Sequence, residues 1–453
     1  MLGLALCLLA LCACGGPVPP KRLPQGNTEP PAQLEESTTE AEATADTALT
    51  AEERACVAPP SAFEQADTRA AKGVRYDAEQ NTIVLSGAAP TTLAAVGAAL
   101  DRPELLAELG GGEWLLSANL ELRAGAELAI SGPAVRWLKL RSDSEGFVSI
   151  KARGGRLTIS DTCVSSWDPG QQKVDQELVD GRSFVLARDG AWMGIYRSQL
   201  QYLGYAANES YGLAWRLEGT GGEIVESELA YNYYGLYTFE VADLLIRGNE
   251  VHHNIQYGID PHTDSRGLII EENTAHHNGK HGIILAEGCS DSIVRNNVVY
   301  NNILHGIVLY NDSDNNTVEG NTVYGNGQQG INLNNVRGNR IVGNAVYANT
   351  KDGIGVGQKA TENLVINNIV RDNQAHGIYL YSDADKNTIE DNQISGNGRF
   401  GIYLKSAGNW ITMGNEVFGN AIGVYARAED LPRDAREQNR IYDNREADVK
   451  VGG

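Results

Sequence analysis

The chain has 453 residues with 58 acids against 37 bases, and its formal net charge of -21 sets nucleic acid aside as a partner. Its 51 glycines against six Phe and six Trp favour many turns and thin repeated layers over one large globular core. The same charge opposes a polyanionic ligand at long range, so such a ligand would need local cations or protonated groups at its site.

In chain order, Leu2 to Ala13 is apolar, rich in small residues and too short to span a bilayer, which reads as a secretory signal over residues 1–13. The alternative is a buried hydrophobic terminus. The junction Leu11-Cys12-Ala13-Cys14-Gly15 resembles a bacterial lipobox. That resemblance implies lipidation of Cys14 and a periplasmic protein held to an envelope membrane by its lipid. Besides Cys14, removal of the signal leaves Cys56, Cys163 and Cys289. Three thiols cannot all pair, so no disulfide framework is implied, and Cys163 and Cys289 are expected in the core.

Residues 14–60 carry Pro, Thr, Ala and a run of acids from Glu29 to Glu53 with few large apolar side chains, the composition of a disordered acidic tether. Part of the net charge therefore sits away from any active face. Residues 88–111 are expected to hold an N-terminal capping helix. Its apolar stripe is Leu93, Val96, Leu100, Leu105, Leu106 and Leu109, and Gly110-Gly111-Gly112 would stop it. A repeat array needs such a cover over its first open edge.

From residue 112 the pattern changes to short β-runs such as Trp114-Leu115-Leu116, Trp137-Leu138-Lys139-Leu140 and Leu157-Thr158-Ile159. Asp168 to Asp180 is polar, without period, and reads as an inserted loop. The regular part is then countable. Gly235, Gly258, Gly282, Gly306, Gly330, Gly353, Gly377 and Gly401 recur at 23 or 24 residues, and most are followed by an aliphatic pattern such as Ile283-Ile284-Leu285.

Two asparagine rows keep the same step, Asn249 to Asn415 and Asn254 to Asn397. Asparagine tolerates left-handed turns, and its amide can bond to the next Asn when identical turns stack. Short strands, Asn ladders and no intervening helices predict a right-handed parallel β-helix over residues 112–430, closed by a C-terminal end over residues 431–453. With strands ~4.8 Å apart, ~14 coils would make a rod on the order of 65 Å long.

Strand alternation sorts each coil, with the first and third residues after the glycine inward and the second and fourth outward. One long face then carries rows of aromatic and hydrogen-bonding groups, including Tyr237, Tyr310 and Asn332. Rings that stack on sugar faces beside amides that bind hydroxyls suit an extended polysaccharide. Tyr and Asn are also ordinary β-sheet surface, and that plainer reading stands beside it.

One coil breaks the rule. In Tyr257-Gly258-Ile259-Asp260-Pro261-His262 a proline takes the inward aliphatic position, where it removes a ladder donor. Tyr257, Asp260 and His262 around it can move a proton or orient a group that does. Each has a plainer alternative: Tyr257 as a stacking ring, Asp260 as a turn acid, His262 as a surface histidine.

The six-residue stretch resembles the Asp-Pro-His signature of mannuronan C-5 epimerases, nearer the periplasmic than the secreted calcium-dependent type. The resemblance extends through Ser166-Trp167-Asp168, Leu203 to Asn208, Tyr211-Gly212, Tyr234 to Tyr237 and Lys280 to Ile284, and covers most of residues 113–425. It implies epimerisation at carbon 5 of mannuronate within alginate or a related polymer, by proton abstraction and return on the opposite face. No cofactor or metal is implied. A polyuronate is the expected partner, and proteins of an export complex are further candidates.

The resemblance makes His262 the base. Tyr257 would supply or relay the proton on the other face, and Asp260 would tune the pair. Expected substrate contacts are Lys280, His281, Glu287, His305, Arg266, Tyr237, Tyr310 and Asn332.

Two departures stand out. The family's second Asp directly after the His is Thr263 here, followed by Asp264. The position of its charge-neutralising Arg, five residues after the next glycine, is Glu287, and the acid the secreted type carries one position earlier is Ala286. A protonated Glu287 could donate to the substrate carboxylate; otherwise Lys280, Arg266 or Arg295 must neutralise it.

Two other readings remain open. The same first step followed by loss of the substituent on carbon 4 would make a lyase, and a site without turnover would make a glycan-binding β-helix. The pairs His252-His253 and His276-His277 are expected to form an exposed turn ladder.

Overall fold

The structure is a computed structural model that describes residues 56, 71–87, 89–405, 413–428, 430–431 and 435–452. The expected signal, the lipidated Cys14 and nearly all of the tether lie outside the described residues. The described chain is a right-handed parallel β-solenoid of about 14 turns. Three sheets run along it: a first of 16 strands that includes Ile259–His262, a second of 12, and a third to which each coil adds its remaining strand. The coils stack in register, as in Ile283↔Ile307↔Ile331↔Ile354↔Ile378↔Ile402.

Burial follows the alternation. In Glu113–Leu116 and Asn119–Leu122 every second side chain is buried, and one continuous core runs from Ile83 to Ala426. That pattern is what a strand with one wet face and one core face requires. The repeat glycines follow from close approach: a Cβ at Gly282 would lie 2.4 Å from Val299 Cγ1 and 2.8 Å from Asn302 Nδ2.

The asparagine ladders form as expected, but the left-handed residue is not the ladder Asn. It is the residue before it: His253, His277 and Asn301 have φ of 54°, 53° and 52°, ahead of Asn254, Asn278 and Asn302. The ladder Asn is thereby free to use both ends of its amide. Asn278 Oδ1 accepts from Asn254 N and Nδ2, while its Nδ2 donates to Val251 O and Asn302 Oδ1. A third row, Asn316, Asn339, Asn363 and Asn387, does the same at another corner.

The helix is shorter than the 88–111 expectation. It runs Leu93–Leu100, with Thr92 Oγ1 accepting from Ala95 N and Asp101 ending it in the left-handed region. Leu106–Gly110 is instead a strand, antiparallel to Glu113–Leu116, and Gly111 and Gly112 turn the hairpin with φ of 61° and 79°. The apolar stripe was read at helical spacing, yet Leu105 and Leu106 are buried from an extended chain. The expected Asp168–Asp180 loop starts instead as a hairpin, since Asp168 ends the strand Cys163–Asp168 and that strand pairs antiparallel with Lys173–Val174.

The cysteine expectation is corrected in part. Cys289 is a buried free thiol, but Cys163 is bonded to Cys56 across 107 residues of sequence. The pairing was illegible because Cys56 sits at the end of a stretch whose composition says tether.

Candidate active site on the first sheet

The site is set by one strand. Ile259–His262 lies in register on Tyr234–Phe239, pairing Tyr237 with Asp260, Thr238 with Pro261 and Phe239 with His262. On its other side the register with Ile283–Ala286 ends after Ile259↔Ile283, where the next coils pair all four positions. Pro261 has no N–H to carry that ladder further. Alternation turns Ile259 into the core and aims Asp260 and His262 outward.

Outside the sheet lies a second apolar layer of Tyr234, Tyr257, Ile284, Ala286 and Val308, with Tyr211, Tyr233 and Tyr310 against it. Asp260 is covered by this layer, 1 % exposed, and neither carboxylate oxygen has a hydrogen-bond partner. Burial drives its pKa well above the usual carboxylate range, with the Lys280 ammonium pulling the other way. Burial also lowers the Lys280 pKa, against the opposing pull of Asp260. Lys280 Nζ is 3.5 Å from the Tyr257 hydroxyl.

His262 sits at the edge of the layer, its ring centroid 5.6 Å from that of Tyr237 and its Nδ1 2.7 Å from Thr263 Oγ1. Burial first, and the Arg216 guanidinium second, push its pKa down to about 4, so the imidazole is neutral at pH 7. Tyr257 stacks on His281 at 5.2 Å and tilts against Tyr234 at 5.4 Å. Burial raises its phenol pKa, which keeps the proton on at neutral pH. A neutral base and a protonated phenol thus flank one patch of a ring-lined face, the pair that abstraction and return of a proton require.

The other expected contacts divide. His281 and His305 continue the Tyr257 column at 4.9 Å ring spacing, each accepting at Nδ1 from the backbone N–H one coil on, which leaves Nε2 to carry the proton. Burial pushes the His281 pKa well down and that of His305 to about 3. Tyr237, Tyr310 and Asn332 lie on the outer face, and the Asn332 Oδ1 has no partner.

Glu287 falls in the turn after Ile283–Ala286, with φ of 56°, and accepts from Asn311 Nδ2 at 3.1 Å. Arg266 is at the corner beyond His262, exposed, 3.8 Å from Glu218. Arg295 is on the second sheet and is paired to Glu271 at 2.6 Å. Of the named cations only Lys280 is in the constellation. Strand alternation in the sequence already sets Arg216 in the outward column of His262 without giving it a role, and the register agrees: Arg216 pairs with Phe239, and Phe239 with His262.

The exposed turn ladder holds only for His253 on His277, at 5.2 Å; His252 and His276 end strands of the third sheet, stack at 5.1 Å with His276 buried, and are continued by Tyr300, Tyr324 and Tyr347. A cleft at the corner between the second and third sheets is lined by Asp161, Arg197, Gln199, Glu226, Glu228 and Glu250. Its acids are of the wrong sign for a polyuronate.

A mannuronan C5-epimerase of Pseudomonas aeruginosa is 30% identical over 180 residues, 36% of this chain and 32% of that protein. One of Pseudomonas syringae pv. tomato is 32% identical over 146 residues, 29% of this chain and 26% of that protein. The chain thus spans about a third or less of the length of these relatives. The crystal structure of the periplasmic alginate epimerase AlgG superposes with a TM-score of 0.68 at 25% identity, covering 76% of this chain and 85% of that one. The family described as right handed beta helix region matches residues 206–346 and 329–453. With over half its length matched, its coils stacked in parallel and its ladders in register, this chain belongs to the right-handed beta helix family.

Proposed function

We propose that this protein epimerises mannuronate at carbon 5 within alginate or a closely related polyuronate. The observation that carries the reading is the outward-facing neutral His262 on the proline-interrupted strand, beside the covered, unpartnered Asp260 and the protonated Tyr257. The epimerase names of its sequence relatives and of its structural neighbour support the same substrate class.

In this mechanism His262 takes the carbon 5 proton, and the electron pair passes into the neighbouring carboxylate as an enolate. Tyr257 returns a proton from the opposite face, which inverts the centre, and Lys280 beside its hydroxyl assists that transfer. The buried Asp260 tunes the pair. His281, His305, Tyr237, Tyr310 and Asn332 line the track for sugars on either side, and the rings supply stacking faces.

The same reading puts the protein in the periplasm, held by a lipid on Cys14 through the 14–60 tether. Its support is the apolar Leu2–Ala13 stretch with its Cys14-Gly15 junction, together with the periplasmic source of the structural neighbour. The Leu93–Leu100 helix is read as cover for the first coil.

Proton NMR of polymannuronate incubated with the protein tests the reaction. Guluronate signals that grow with time uphold it. Unsaturated chain ends would instead make the protein a lyase, and binding with an unchanged spectrum would leave a glycan-binding β-helix.

A further inference from the structure

Abstraction of a proton beside a carboxylate is slow unless the developing enolate charge is met by a cation or a strong donor. The Glu287 turn supplies no cation, and Arg266 and Arg295 are placed elsewhere. On the outer face of the first sheet, however, one column reads Arg153, Arg188, Arg216, Phe239, His262 in continuous register.

The three arginines are not alike. Arg153 is 3.3 Å from Asp189 and 3.7 Å from Glu121, and Arg188 is paired with Asp189 and Glu209. Arg216 makes no ion pair among the described residues. It is 7 % exposed, its Nε and Nη1 have no hydrogen-bond partner, and its guanidinium lies 4.4 Å over the Phe239 ring and 5.6 Å from that of Tyr237.

A desolvated guanidinium with free donors is a fork waiting for a planar oxyanion. Its strand is two spacings, ~10 Å, from that of His262. The Tyr237 ring lies 5.6 Å from each and offers a stacking face to a sugar set over it. A sugar bridging the gap would show its carbon 5 hydrogen to the imidazole and its carboxylate to the guanidinium.

We propose that Arg216 binds the carboxylate of the reacting uronate and neutralises the enolate that forms on it, in the role the sequence alone left without an owner. This deepens the epimerase reading and rests on it. Lys280 is the rival cation, but it stands on the Tyr257 side and faces Asp260, whereas Arg216 stands on the side of the base. The chemistry it selects is a carboxylate at carbon 5, so a carboxyl-reduced sugar of the same linkage loses the contact.

The test is calorimetric binding and turnover with mannuronate oligomers and their carboxyl-reduced, neutral counterparts, using native protein, Arg216→Gln, Arg216→Lys and Arg216→Met. The methionine variant keeps packing on Phe239, and melting temperatures no lower than that of the native protein check that each variant is folded. We expect Arg216→Gln and Arg216→Met to bind mannuronate oligomers about tenfold to a hundredfold more weakly, with kcat falling further still, because the contact strengthens in the transition state. Binding of neutral oligomers should be unchanged, and Arg216→Lys should recover part of both losses.

Native-like kcat and KM in Arg216→Met would overturn the assignment and leave the epimerase reading standing. Native protein that ignores mannuronate but binds glucuronate or galacturonate oligomers through Arg216 would sink the epimerase reading and keep the arginine's role. Native protein that binds no uronate sinks both.

Discussion

At the scale of residues, the site departs from stability rules in two places. Asp260 is a buried carboxyl without a hydrogen bond, and Arg216 a buried guanidinium with unpaired donors. Such groups destabilise a fold unless something else selects them. Asp260→Asn should therefore raise the melting temperature at pH 7 and much less at pH 3, because burial disfavours the ionised carboxyl that the unfolded chain carries above its usual pKa. The same change should lower turnover on the order of 10²-fold, as loss of a group that tunes acid–base catalysis does. A thermal melt and a rate measurement decide it, and a destabilised protein with unchanged rate would show that Asp260 is structural.

The pH profile follows from His262. Its pKa is depressed to about 4, so the neutral form needed for proton abstraction is lost only as pH falls through that value. An ordinary imidazole with a pKa of ~6.5 would be mostly protonated by pH 5. The kcat/KM plateau should extend down to pH 5, since this quantity reports the free enzyme. Half-activity near pH 6.5 would mean that the base is not the desolvated ring described here.

At the scale of elements, the ladders hold the corners. Asn278 is 0 % exposed and supplies the acceptor for two donors of Asn254 and a donor for the next rung. Asn278→Ala leaves those donors buried and unmet, at a cost of ~3 kcal/mol. Asn444, at the more exposed end of the same row, should cost less than half as much when truncated. Urea midpoints compare the two, and equal small losses would mean that the rungs are redundant.

Much of this level was legible. Repeated glycines and asparagines at a fixed step announce a solenoid, because a mismatch in one coil would be felt by both neighbours. The left-handed residue ahead of each ladder Asn was not legible, since His253, His277, Gly325 and Ala348 share the conformation without sharing a side chain. The stretch from Leu105 to Leu109 misled because apolar spacing over a short hairpin also fits a helix.

At the scale of the whole molecule, a chain of net charge -21 presents a column of three arginines on the face that would take a polyanion, of which, among the described residues, Arg153 and Arg188 are met by acids and Arg216 is not. That column comes from coils some 30 residues apart, so its charges converge only through strand register, and a linear reading scatters them. The Ile259–His262 strand was visible for the opposite reason: its proline breaks a local pattern that the coils after it obey. Arg216 lay outside the quoted signature; alternation put it in the His262 column, but its burial and its unpartnered donors show only in the folded chain.

The central claim is that an imidazole on an interrupted coil takes the carbon 5 proton of a mannuronate. It is tested most directly by incubating polymannuronate with the protein in heavy water and reading deuterium at carbon 5 by NMR and mass spectrometry. Native protein should label that position, and His262→Ala should lower the labelling rate by about 10³-fold while still binding the polymer. Labelling by His262→Ala at the native rate would contradict the account.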